Sequence, residues 1–152
     1  MANVIQVINS LEGEQAVPTF TFKLPVKSGT ASSILPGYLV IKDGGNAGYV
    51  KAAPDATAST SVILGVAAST STETAAADGT VDIITAPTLM VKLKAKTPAN
   101  LTAAMPFAVY ILDVTGGAYT LDQGTTVNGI FRLVSFDNVT DGNCYATLSC
   151  NW

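Results

Sequence analysis

The sequence predicts an all-β fold: one compact domain, a barrel or a sandwich, with an N-terminal arm and at most one short helix. Three observations carry this. Short alternating or apolar segments recur, each closed by a Gly, Pro, Asp or Asn turn signal. No long stretch keeps a helical period. Charged residues make up only 12% of the 152 residues and hydrophobic ones 48%, whereas ordinary domains carry about 25% charge. Thr, Val, Ala, Ser and Gly fill the difference, and branching at Cβ in Thr and Val suits a pleated surface.

A chain of this length suits one domain that buries roughly 68–70% of its unfolded surface. Residues 1–17 read as an arm and 18–152 as the β domain. In the arm, Val4, Ile5, Ile8 and Leu11 fit one helical face, and Val4 to Ile8 equally fit a short strand. The arm is expected either to pack as an outer strand or to stay mobile until bound.

From Thr19 the elements follow in order. Phe20, Phe22 and Leu24 alternate with Thr19, Thr21 and Lys23, the pattern of a half-buried strand. Pro36-Gly37 is a turn into the strand Tyr38–Lys42. Asp43-Gly44-Gly45-Asn46 is a hairpin signal, since these residues tolerate positive φ, and Gly48–Ala52 is the return strand. Val62–Ala67 is an apolar strand in which Gly65 marks a bulge or bend. Asp78-Gly79 turns into Thr80–Ile84. Leu89, Val91, Leu93 and Ala95 alternate with Met90, Lys92, Lys94 and Lys96. Thr97 as N-cap and Pro98 at the first position predict one short helix over Thr97–Ala104. Phe107–Leu112 reads as a strand buried on both faces. Tyr119–Leu121, Ile130–Phe136 and Cys144–Ser149 complete the set, with Asp141-Gly142 in the last hairpin.

The chemistry classes thin out quickly. There is no His, so a Ser–His device has no base. Asp43, Asp78, Asp113, Asp122 and Asp141 lie at or near Gly-containing turns, where Asp is a structural choice. No Gly-rich phosphate loop is present. Cys144 and Cys150 on one extended strand stand roughly 20 Å apart, too far for a disulfide, and read as buried apolar positions. Neither a metal site nor a cofactor is expected, nor enzymatic activity. The net charge of −3 supplies no basic patch for nucleic acid. No basic leader opens the chain and no apolar run is long enough for a membrane helix, so a cytoplasmic origin is expected. Lys92, Lys94 and Lys96 share one strand face. They read either as a contact for an acidic partner or as lysines guarding an edge strand, the second being the simpler account.

The order of motifs resembles the capsid decoration, or cement, proteins of tailed bacteriophages. The residues that carry it are Leu35-Pro36-Gly37-Tyr38-Leu39-Val40, Asp43-Gly44-Gly45, Leu64-Gly65-Val66-Ala67, Asp78-Gly79-Thr80-Val81 and Phe107 to Asp113. The resemblance covers roughly residues 30–135 and implies a β-barrel or β-tulip domain. It also implies a structural role on the outer surface of the virion, with the major capsid protein as partner. Such proteins work usually as homotrimers and sometimes as homodimers. The arm residues Val4, Ile5, Val7, Ile8 and Leu11, with Phe20, are the expected capsid contacts. Lys92, Lys94 and Lys96 are the candidate electrostatic contact. The competing expectation is an adhesion or carbohydrate-binding module of a phage fibre or tail, with Tyr38, Tyr49, Tyr119, Tyr145 and Trp152 as candidate sugar-stacking residues.

Overall fold

The structure is a computed structural model that describes residues 3–8, 19–29 and 33–151. It is all-β. The strands are β1 (Gln6–Val7), β2 (Phe20–Val26), β3 (Leu39–Lys42), β4 (Val50–Ala52), β5 (Ile63–Ala67) and β6 (Gly79–Thr85). They continue as β7 (Thr88–Ala95), β8 (Val109–Thr115), β9 (Ala118–Asp122), β10 (Phe131–Phe136) and β11 (Asn143–Ser149).

These strands close two five-stranded barrels. The first runs β2-β4-β3-β5-β6 and back to β2. Its closure at β4 is a parallel contact at a single register position, Val26 against Val50. The second runs β7-β11-β10-β8-β9. It closes where β9 meets β7 in parallel, with Lys94 opposite Thr120 and Ala95 opposite Leu121. Only Ala86 and Pro87 separate β6 from β7, so the chain passes from one barrel to the other within two residues.

Side-chain alternation explains how the barrels join. Val26, Val40, Val50, Ala67, Val81 and Ile83 form the interior of the first barrel. Leu39, Ile41, Ile63 and Val66 belong instead to a core shared with Leu89, Leu112, Leu121, Phe131 and Leu148 of the second. Strand β3 is therefore buried on both faces, and Leu39, Val40 and Ile41 are all inside. Burying each of Leu39 and Ile41 stabilises the joint by about 1.5–3 kcal/mol. At the same joint the buried Tyr119 hydroxyl donates to the Ala53 carbonyl at 3.0 Å. The Tyr38 ring lies 4.5 Å from that of Tyr119, centroid to centroid.

Several expectations are corrected. The helix expected over Thr97–Ala104 is a single 3-10 turn, Pro98–Asn100, and Thr97 makes no side-chain cap. The strand expected from Phe107 begins at Val109. Phe107 itself sits in a turn at φ 73° and is 72% exposed. The alternation in Phe20–Leu24 does mark a strand. Its apolar face, however, runs past the closed part of the first barrel, leaving Phe20 54% and Phe22 44% exposed. The lysine-bearing strand β7 is not an edge. It pairs with β11 along its whole length on one side and with β1 and β9 on the other, so edge protection does not account for its lysines.

Candidate partner-binding surface

The described part of the arm is stitched to the joint. Ile5 N–H donates to the Gly37 carbonyl at 3.0 Å and Ile8 N–H to the Met90 carbonyl at 2.8 Å. Gln6 and Val7 pair with Lys92 and Val91. Gly37, at φ 86°, is needed where it stands, because a Cβ there would come within 2.5 Å of Val4 Cβ. Ile5 is only 2% exposed and lies in this chain's own core. Val4, Val7 and Ile8 are half-buried. Leu11 lies outside the described residues. Of the described members of the expected contact set, Phe20 is the one presented to solvent.

The structure brings the arm and part of the lysine row together. Asn3, Val4, Gln6, Lys92, Leu93, Lys94 and Asn143 line one groove, with β1 on one side of β7 and β11 on the other. Lys92 Nζ stands 5.7 Å from the centre of the Tyr145 ring. Lys94 Nζ donates to the Asp141 carbonyl oxygen. Neither ammonium has a described carboxylate within ion-pair distance. The nearby Asp137 carboxyl is held below the usual range, first by the Asn143 amide, then by the Tyr145 hydroxyl and, less, by these lysines.

Lys96 separates from the other two. Its Nζ lies 2.7 Å from Asp113 Oδ1 and 3.4 Å from Asp122 Oδ2. Asp113 Oδ2 also accepts from the Thr115 and Thr120 hydroxyls, each at 3.2 Å. Burial alone would raise the Asp113 carboxyl, but the Lys96 ammonium and the two hydroxyls hold it below its ordinary value. Lys96 thus ties β7 to β8 and β9 and offers no free charge to a partner. The sequence spacing put three lysines in a row; only folding shows that the third is already paired.

The tyrosines are likewise engaged inside the fold. Tyr119 is buried and Tyr38 leans on it. Tyr49 donates to Asp78 at 2.6 Å, and Tyr145 lies beneath Lys92. Trp152 lies outside the described residues. The described residues contain no group of three or more His, Cys, Asp or Glu placed to hold a metal. No helix among them is long and apolar enough to cross a membrane.

A second surface was missed at the level of sequence. Phe22, Leu24, Leu64, Ile83 and Thr85 line an apolar mouth of about 340 Å³ at the open end of the first barrel, and the Phe20 ring stacks against Phe22 at 6.5 Å. The alternation of β2 is the sequence signal for this surface, but alternation alone does not distinguish a face turned to the core from one left exposed. Comparison with protein-family models, with curated proteins and with solved structures finds no match to this chain.

Proposed function

We propose that this chain is a structural decoration protein of a tailed-bacteriophage head. In this reading it binds the outer surface of the major capsid protein as a homo-oligomer, stabilises contacts between capsid subunits and catalyses nothing. The observation that carries the reading is the groove at β7. There the arm strand β1 and two lysines with no described carboxylate within ion-pair distance meet on a scaffold closed by two barrels. A groove of this kind can recognise a protein surface by charge and amide hydrogen bonds. The resemblance of the turn and strand motifs supplies the identity of that surface. Modest contacts suffice, because an oligomer bridging several subunits gains effective concentration without new contacts.

The test uses expanded capsids stripped of accessory proteins. Purified chain should cosediment with them to a saturable, stoichiometric level and raise their melting temperature. Lys92→Glu with Lys94→Glu should weaken binding several-fold, most at low salt, since surface charge is screened as ionic strength rises. Lys96→Gln should cost fold stability instead. Binding unchanged by the double charge reversal would remove the groove from the reading. An absence of wild-type binding to any capsid would remove the reading itself.

A further inference from the structure

A cleft of about 300 Å³ lies at the seam between the two barrels. Ser59, in the loop before β5, and Ile63 of β5 stand on the first-barrel side, and Arg132, Thr147 and Ser149 stand on the second. Hydrogen bonds tie the two sides together. Ser59 N–H donates to the Asn128 carbonyl, Asn151 N–H to the Ile63 carbonyl and Asn151 Nδ2 to the Ser61 carbonyl, each at 3.0 Å. The walls are therefore fixed before any ligand arrives, and a seam between packed units is where small-molecule sites concentrate.

The polar groups of this cleft converge and are unspent. Arg132 lies opposite Thr147 of β11 on one side and opposite Val109 of β8 on the other, so the three side chains share the outer face of the sheet. Thr147 and Ser149 alternate with buried Ala146 and Leu148, which turns both hydroxyls outward. Among the described residues, neither these hydroxyls nor that of Ser59 has a hydrogen-bond partner. Arg132 Nη1 donates to the Phe107 carbonyl at 2.8 Å. That bond fixes the planar head and leaves its other N–H groups for a ligand. No described carboxylate stands within ion-pair distance of Arg132, and no residue lining the cleft is acidic.

We propose that this cleft binds a small hydroxylated carboxylate of the uronic-acid class, with Arg132 holding the carboxylate. A guanidinium fork matches a carboxylate through paired, parallel hydrogen bonds. The hydroxyls of Ser59, Thr147 and Ser149 can both donate and accept, as sugar hydroxyls do. Val109 and Ile63 add an apolar strip for the C–H groups of a sugar ring. A bare anion would leave most of the cleft to water, whereas sites of about this volume hold small organic molecules. The cleft shares no lining residue with the groove at β7. Its ligand is measured on the isolated chain, so the inference stands or falls apart from capsid binding.

Titration of the full chain with sodium glucuronate at constant ionic strength, followed by amide NMR shifts, tests it. Saturable shifts should centre on Ser59, Gly129, Arg132, Thr147 and Ser149. Glucose, which lacks the carboxylate, should bind about ten-fold more weakly or worse. Arg132→Gln should weaken glucuronate binding by about ten-fold or more. Because that change also frees the Phe107 carbonyl, Thr147→Val serves as a second variant. It keeps a β-branched residue on an outward strand position, so it should lose affinity several-fold while melting as wild type does. The methyl glycoside of glucuronate separates two sources of the same chemistry. Equal binding of the glycoside identifies a residue at the end of a glycan, and its rejection identifies the free acid. Wild type that shows no saturable shift, or shifts away from the cleft, would overturn the proposal. So would acetate or glutamate binding as tightly as glucuronate, which would mark a site for any carboxylate, or full affinity in both variants.

Discussion

The Tyr49 hydroxyl donates to the Asp78 carboxylate at 2.6 Å. Asp78 also accepts from the Ser28 amide at 2.8 Å and from Lys27 Nζ at 3.1 Å. One exposed carboxylate thus pins the end of β2, the approach to β4 and the turn before β6, where the first barrel closes through a single register pair. The Tyr49 hydroxyl, then the Ser28 amide and Lys27, hold the Asp78 carboxyl far below its ordinary value. A depressed folded pKa means that the contribution is present above the unfolded value near 4 and is lost as pH falls toward the folded one. Asp78→Asn should therefore lower Tm at pH 7, and the gap to wild type should narrow as pH drops below about 4. On the alkaline side Lys27 and Tyr49 are both raised, chiefly by Asp78. Their share should fade as pH climbs beyond about 10. Thermal melts of both chains across pH check this, and a constant gap down to strongly acid pH would refute it.

Tyr119 spans the joint between the barrels. Its hydroxyl reaches the Ala53 carbonyl, and burial, with Tyr38 beside it, pushes the phenol well above its ordinary pKa. Tyr119→Phe keeps the ring but strips the Ala53 carbonyl of this donor, so it should cost about 1–2 kcal/mol in urea unfolding. Because the folded pKa is raised, the wild-type advantage is complete below about pH 10 and fades as pH rises through the folded value. Wild type should therefore lose stability at high pH more steeply than Tyr119→Phe.

The same residues show what the sequence could and could not disclose. Alternation and turn residues are local signals, and they located β3, β5, β6, β7, β9, β10 and β11 to within a residue or two. The outside of a barrel is another matter. Leu39, Val40 and Ile41 in a row reveal a strand buried on both faces, but not that a second barrel does the burying. Phe20 and Phe22 carry the period of a core face, and nothing local says that β2 outruns the barrel it helps to close. Phe107 precedes Ala108 and Val109 in one apolar run, yet the backbone turns at Phe107 because its N–H pairs with Leu133, a contact 26 residues away in the chain. In the lysine row, spacing placed Lys92, Lys94 and Lys96 on one face, while the pairing of Lys96 with Asp113 depends on the closure of β9 onto β7.

Gly65 makes a sharper test of barrel closure. A Cβ at this position would lie 2.2 Å from the Ile84 carbonyl oxygen and 3.2 Å from Thr85 Cβ. The nearest obstacle is backbone of β6, which cannot swing aside as a side-chain tip can. The register of β5 on β3 also shifts here, between Val40 and Ile41. Gly65→Ala should force β5 off β6 and cost about 3 kcal/mol. Gly44→Ala is the control, since nothing lies within 4 Å of its added methyl; it should stay within about 0.5 kcal/mol of wild type. Equal urea midpoints for the two variants would contradict the close approach of β5 and β6.

Cys144 tests the second barrel. It alternates with Ala146 and Leu148 on the buried face of β11, and neither it nor Cys150 is in a disulfide. Burial, with a smaller push from Asp137, raises the Cys144 thiol to about 11. The thiolate is the reactive form, and at pH 8 the folded chain holds almost none of it at this position. A Cys150→Ala variant, which leaves Cys144 as the sole thiol, should therefore react with a disulfide reagent only as fast as it opens. Urea should release one full equivalent at once. Cys144→Ala should remove the signal while leaving the fold intact, whereas Cys144→Ser should cost about 1–3 kcal/mol by placing a hydroxyl among Leu93, Ala146 and their neighbours. Rapid labelling of Cys144 without denaturant would mean that the β7–β11 face opens far more readily than its unbroken register implies.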